Sequence, residues 1–324
     1  MIHFVRVGPI PGGHLDYLIR YWDQQNLDYE LHEERLAPDQ IIAGHCYVTC
    51  SSQMVKGDSP RLSDLFQVQL PHNLTGLKGI NFDTSGADLN ILAGPRVPLL
   101  QGLDLDSPRF VIGGYAKWDT IYQERFLKQQ RREELGRDHG YDLGAKWVCF
   151  YPTGPNKMVS GNLHKTLRLY QRLADDMGNV EFFLLNHARN PRTEHTRLVL
   201  EEIEEAGLPR VHIIDGADTL HYITACDLFI TDIASAVVTA MSMDKPIIFM
   251  QVKFNGKVVP RTTAFQQAPL LREVRDFGDY VRDWVSPPGL RRLFDECVAF
   301  DDADNCSRIT TIIRSSFARW AQSR

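Results

Sequence analysis

The chain is poor in cysteine, and its cysteines form no framework. Among 324 residues, Cys46, Cys50, Cys149, Cys226, Cys297 and Cys306 are scattered. Only Cys46 and Cys50 are close, and no second Cys/His pair stands at zinc spacing. Cys149 and Cys226 lie in or beside apolar runs, where Cys serves as a small core residue, so reduced thiols are expected. No stretch approaches the ~20 apolar residues that span a bilayer. Met1 to Val7 is a short β-like run with Arg6 inside it, not a basic start followed by a long apolar region. A cytoplasmic protein is expected, and peripheral association with the inner face of the cell membrane is compatible with this. An excess of positive charge is also missing. The net charge of −5 and pI near 6.1 argue against a general nucleic-acid binder. There is no solenoid repeat, low-complexity stretch, P-loop, G-x-S-x-G elbow or His-Glu-x-x-His motif.

What is present is a long alternation of short apolar runs with amphipathic ones. A length of 324 residues suggests two domains, and 43% hydrophobic with 10% aromatic content suits packed cores. In the first half IHFVRV (2–7) reads as a strand, GPIPGG (8–13) as a loop, and HLDYLIRYWDQQ (14–25) as a helix. This opening lacks the G-x-G-x-x-G spacing. Strand-like runs follow within 40–50, 66–73, 89–94 and 109–115, then a charged helix over 120–138 whose charges are read as a solvated face. Glycine-rich 136–146 is the expected linker. In the second half, strands at 147–153, 181–187, 211–216, 228–231 and 247–249 alternate with helices at 163–177, 192–207 and 217–226. A last amphipathic helix covers 308–323. The pattern predicts an α/β protein of two Rossmann-like domains, 1–140 and 141–302, with a helix in 303–324 free to cross back to the first. A nucleotide-type ligand between them is the functional expectation.

The most informative stretch is DLFITDIASAVVTAMSMDKPIIFM (227–250), which reads as strand, loop, helix, strand. Open α/β sheets bind ligands at the carboxyl ends of their strands, and free N–H groups at a helix start favour an anion such as a diphosphate. Asp232 and Ser235 either contact that anion or simply cap the helix.

Other residues fall at strand ends. His72, in LPHNLTGLKG (70–79), suits general-base work on a hydroxyl, and Thr75 and Lys78 add a hydroxyl and a cation to the same small loop. A surface or bracing His is the alternative. His187 and Arg189, after EFFLL, offer donors for phosphate oxygens or lie in an ordinary exposed loop. Thr153 and Gly154, after WVCFYP, permit close backbone approach to phosphate or form a common turn. Gly13 and His14 open the first helix, where an acceptor or phosphate could approach. Gly113, Gly114, Tyr115 and Asp119 are read as structural. Asp215 and Asp218 cap the next helix or line the nucleotide site. Asp83 and Asp88 have no third ligand at suitable spacing, so no metal or cofactor is expected.

Taken in order, LPHNLTGLKG, VIGGYAKWD, CFYPTG, LLNHAR and 227–250 resemble the CDP-glycerol glycerophosphotransferase family of teichoic-acid and capsule synthesis. That family carries Trp-His-Gly-Thr-Pro-Leu-Lys, Gly-Tyr-Pro-Arg-x-Asp, Tyr-Ala-Pro-Thr, Arg-Pro-His-Pro and Thr-Asp-Tyr-Ser-Ser segments, the last followed by Lys-Pro. Here Pro71 replaces Trp, Asn73 replaces Gly, Asn186 and Ala188 replace the two Pro, and Ile233 and Ala234 replace Tyr and the first Ser. The resemblance, over residues 70–250, implies a divergent member in a GT-B arrangement. It implies His72 as base and His187, Thr153 and Ser235 as diphosphate contacts. The implied partners are a CDP-linked alditol donor and a hydroxyl acceptor, polymeric or lipid-linked. A nucleotide-sugar glycosyltransferase and a non-catalytic nucleotide-binding subunit are the alternatives.

Overall fold

A computed structural model describes residues 1–6, 14–50, 64–71, 74, 86–152, 159–160, 162–185, 194–214, 219–232, 235–254, 257–258 and 269–324. Contacts divide them into two compact units, 1–122 with 295–324, and 123–294. The sequence reading instead has its boundaries at 140 and 302.

The first unit is built on a parallel sheet of β1 (Ile2–Val5), β2 (Glu30–His32), β3 (Cys46–Thr49), β4 (Phe66–Gln69), β5 (Leu89–Leu92) and β6 (Phe110–Ile112). Their order is β2-β1-β3-β4-β5-β6. The chain steps from β1 to one side, returns, and then runs to the other, so its topological switch point lies between β1 and β3. Strand β2 was not expected from sequence. Glu30-Leu31-His32 is short and largely polar, and it is held by parallel pairing with His3, Phe4 and Val5 at the sheet edge. Alternation along β1 sends Ile2 and Phe4 to one face. There Leu15, Leu18, Ile19 and Trp22 of α1 (His14–Gln24) pack on them together with Ile309 and Ile313 of α11 (Asn305–Gln322). Val5, Tyr47, Leu36, Ile41 and Leu65 form a separate cluster.

The segment Gly113–Asp119 secures α11. Both carboxylate oxygens of Asp119 accept from the helix start, from the N–H of Asn305 at 2.7 Å and of Cys306 at 2.8 Å. The Asn305 side chain accepts from the N–H of Tyr115 at 3.1 Å. Gly114 has φ +97°, and a Cβ there would come within 2.1 Å of Asn305 Oδ1. These residues are structural, as their sequence suggests.

The second unit carries a parallel sheet of β7 (Lys146–Tyr151), β9 (Val180–Leu185), β10 (Val211–Ile214), β11 (Leu228–Thr231) and β12 (Ile247–Phe249), in the order β10-β9-β7-β11-β12. Its helices include α5 (Thr166–Met177), α6 (Glu194–Glu205), α7 (Thr219–Ala225), α8 (Ala236–Ser242), α9 (Phe277–Arg282) and most of α10 (Pro288–Cys297). All five strands match the sequence expectation. They are mostly apolar because a sheet covered on both faces buries most of its side chains; the polar exceptions are Lys146, Glu181, His212 and Thr231. Val148, Phe150, Phe182, Leu184, Leu228 and Ile230 share one core cluster with Leu169 and Leu173 of α5. A small antiparallel ribbon, β14-β13-β8 (Lys257–Val258, Lys253–Phe254, Val159–Ser160), joins the segments after β7 and β12.

Residues 120–138 form two helices rather than one, α3 (Trp118–Glu124) and α4 (Lys128–His139). Their charges are not simply a solvated face. Arg131 binds buried Glu124 through both Nε and Nη2, and Lys128 and Arg132 bind Asp227 at 2.9 and 2.8 Å. Gly136, expected in a linker, lies within α4 against Leu143. Among the described residues no helix is long and apolar enough to cross a membrane.

Candidate functional site

The switch point of the second sheet lies between β7 and β11, where the chain turns outward in opposite directions. Crevices at such points, outside the carboxyl ends of the strands, are where open α/β sheets hold ligands. The two strand ends are tied together. Thr231 Oγ1 donates to the Tyr151 carbonyl at 2.9 Å, and the N–H of Met250, past the end of β12, donates to the Thr231 carbonyl at 2.7 Å.

A polar chain runs across these ends. Asn162 is buried, and its amide donates to the Gln251 carbonyl at 3.3 Å and towards Asp232 Oδ2 at 3.5 Å. Lys165 Nζ donates to Asn162 Oδ1 at 2.8 Å. The loops after β11 and β12 are thereby linked to the residues that lead into α5. Tyr151 lies at the end of β7; burial first, and then the Asp232 charge, push its phenol up to about 12.

This edge is strongly basic. Burial first, then repulsion from Lys253 and Arg168, lower the Lys165 ammonium below the usual lysine range, while Asp232 opposes them. A cavity of about 210 Å³ is lined by Lys165, Arg172, Met250, Gln251, Leu270, Leu271 and Arg272. Arg172 is partly committed to structure, donating to the carbonyls of Leu271 and Val274 and lying 4.8 Å above the Phe277 ring. Arg272 is exposed. An anion here would meet Lys165, Arg172 and Arg272, an arrangement that suits phosphate oxygens.

Of the residues singled out from sequence, Asp232 is only 1% exposed. It is placed to orient Asn162 rather than to present a free carboxylate. Ser235 precedes α8 with helical φ and ψ, −65° and −16°, and its side chain makes no capping bond, so the capping alternative does not hold for it. His14 opens α1. His72, Thr75, Lys78, Thr153, Gly154, His187, Arg189 and Gly13 lie outside the described residues, as do Asp215 and Asp218. His72, Thr153 and His187 follow, a few positions on in sequence, the last residues of β4, β7 and β9.

Sequence reasoning missed Asn162, Lys165, Arg172 and Arg272. Lys165 and Arg172 lie at the start of and within an amphipathic helix, and Arg272 in a turn before α9, so no local motif joins them, and only folding brings them to one edge. It also missed the role of Lys245, which is 5% exposed. Its ammonium donates to the carbonyls of Thr224 and Cys226 at 2.6 and 2.8 Å, closing the carboxyl end of α7.

No family model matches the chain, and no curated protein matches it by sequence. Solved structures do match. The wall teichoic acid polymerase TagF is 14% identical, with 99% of this chain and 90% of that chain covered and a TM-score of 0.66. TagF has also been solved after a soak with CDPG. The S. aureus MnaA–UDP structure is 13% identical over 98% of this chain and 97% of that one, with TM-score 0.61. A glycosyltransferase from Rickettsia africae is 11% identical over 98% of both chains, with TM-score 0.53. The chain therefore shares the fold of solved glycosyltransferases and of a teichoic-acid polymerase.

Proposed function

We propose that the protein is a GT-B-type transferase that moves a group from a nucleotide-diphosphate donor to an acceptor hydroxyl in the synthesis of a cell-surface polymer. The observation that carries this reading is the basic cavity between α5 and the segment that follows β12 in the second unit. Lys165 and Arg272 supply charge there, and Asn162 ties the loops together. The donor diphosphate takes that cavity, with Thr153, Gly154, His187, Arg189 and Ser235 as its further contacts.

The preferred donor is a CDP-linked alditol, glycerol foremost, supported by the ordered motif resemblance and by the likeness to TagF. The acceptor oxygen attacks the β-phosphorus in line, and a new P–O bond forms. The bond from that phosphorus to the bridging oxygen breaks, and CMP leaves with the electron pair. His72 takes the acceptor proton, assisted by the hydroxyl and cation of Thr75 and Lys78. Catalysis of this kind depends on positioning and charge stabilisation, which side chains and helix starts supply. Gly13 and His14 belong to the acceptor side.

A nucleotide-sugar donor is the second reading, supported by the likeness to MnaA solved with UDP. The two differ in products. Attack at the anomeric carbon releases a nucleoside diphosphate, whereas attack at phosphorus releases CMP. Transfer assays with CDP- and UDP-linked donors and chromatography of the released nucleotide separate them. Binding without turnover across acceptors would sink both and leave a nucleotide-binding subunit. His72→Ala is expected to lower turnover by about 10²–10⁴ with donor affinity nearly unchanged. His72→Gln within a few-fold of wild type removes the base assignment.

A further inference from the structure

The first unit holds a cluster of imidazoles that the transfer reaction does not use. Glu30 and His32 are two apart on β2 and so project to one face of the sheet. Register places Glu30 opposite His3 and His32 opposite Val5. His3 Nδ1 is 3.0 Å from His32 Nε2 and 3.3 Å from Glu30 Oε2, and His32 Nε2 is 3.8 Å from Glu30 Oε1. On the other side His3 Nε2 is 2.7 Å from Nδ1 of His45, the residue before β3.

We propose that His3, His32 and Glu30 bind one dication of the zinc class, with an open fourth position. Zinc–nitrogen and zinc–oxygen bonds of about 2.0–2.2 Å put tetrahedral donors roughly 3.3–3.5 Å apart. The two imidazole nitrogens and one or other oxygen of the carboxylate lie 3.0–3.8 Å apart, near that spacing, and the exposed carboxylate rotates to refine it. Two imidazoles and a carboxylate are a borderline set that suits zinc, cobalt or nickel better than calcium or magnesium.

The surroundings fit as well. A His that binds metal through Nδ1 carries its proton on Nε2, and such a proton is normally given to an outer acceptor that holds the ring. His45 Nδ1 stands where that acceptor belongs. His3 is 1% exposed and stacks on Tyr47, with centroids 4.5 Å apart and planes 10° apart, so its ring direction is set. Glu30 is 54% exposed, which leaves a route for the ion and room for a water. The ion would pin the short edge strand β2 to β1. Without it, the same contacts amount to a hydrogen-bonded chain of three imidazoles, and that is the alternative to be tested.

Tag-free full-length protein, stripped with chelator, is titrated with Co²⁺ as optical probe and with Zn²⁺ by calorimetry, with far-UV CD confirming folding of each variant. One ion per chain is expected, with tetrahedral cobalt absorption, no thiolate charge-transfer band, and a zinc-dependent rise in Tm. His45→Gln should weaken binding about 10–100-fold while keeping the stoichiometry. Glu30→Gln, at an exposed position, and His32→Asn, at the sheet edge, should each cost at least as much. The proposal is overturned by absence of one-to-one binding, by a thiolate band, or by unchanged affinity in Glu30→Gln and His32→Asn.

Discussion

Replacing Asp227 by Asn tests whether the charges of α4 build the second unit or merely coat it. Asp227 sits between α7 and β11. Its carboxylate accepts from Lys128 at 2.9 Å, from Arg132 at 2.8 Å and from the N–H of Trp147 at 3.0 Å. Burial alone would raise this carboxyl, but Lys128, the Trp147 N–H and Arg132 outweigh it and bring it from 3.8 to about 2. Its side chain is 16% exposed, so solvent screens the network only in part. At about 1.4 kcal/mol per pH unit, the interval between those two values corresponds to roughly 2 kcal/mol of folding stability. The folded value lies below the unfolded one, so this contribution is fully present above about pH 4 and fades as pH falls towards 2. Asn keeps the shape and one acceptor but loses the charge. Urea unfolding of the wild type and Asp227→Asn should differ by about 2 kcal/mol at pH 7, narrowing to roughly half near pH 3. A difference below about 0.5 kcal/mol at pH 7, the scale of an ordinary surface substitution, would refute the reasoning.

Three further outcomes follow from particular contacts. Gly114→Ala drives a methyl into Asn305 at a positive φ, and should cost at least about 2 kcal/mol in thermal or urea unfolding; an unchanged Tm would contradict the packing described. Asp119→Ala removes both acceptors at the start of α11 and should cost about 1–2 kcal/mol, whereas Asp119→Asn, which retains one acceptor oxygen, should cost less. Lys165→Ala and Arg272→Ala should each weaken nucleotide-diphosphate binding about 10–100-fold, with a steeper salt dependence in the wild type than in either variant. Calorimetric affinities equal to wild type would move the donor away from that cavity.

Legibility in the sequence varied with the range of the forces involved. The unit from Leu228 to Phe249 was readable because a strand buried on both faces is mostly apolar, as Leu228, Phe229 and Ile230 are. Strand β2 was not, because Glu30-Leu31-His32 owes its form to backbone bonds with a strand far away in the chain. The break at 125–127 between α3 and α4 was hidden by residues that all favour helix. Arg131 and Arg132 looked solvated because their partners, Glu124 and Asp227, become neighbours only after folding. The same holds at the candidate site. Helix and strand ends marked Asp232 and Ser235, but the joining of Asn162 to Gln251 depends on a sheet order that periodicity does not encode.

The placement of α11 also sets a timetable for synthesis. Strand β1, made long before α11, belongs to a unit whose core includes Ile309 and Ile313, and whose Trp22 indole donates to Thr310 Oγ1 at 2.8 Å. All of residues 123–294 are made before those partners exist. The second unit can therefore close as soon as its own residues emerge, while the earlier sheet waits with an apolar face uncovered. During that interval the nascent chain carries an aggregation hazard in the unit that was begun first and is finished last.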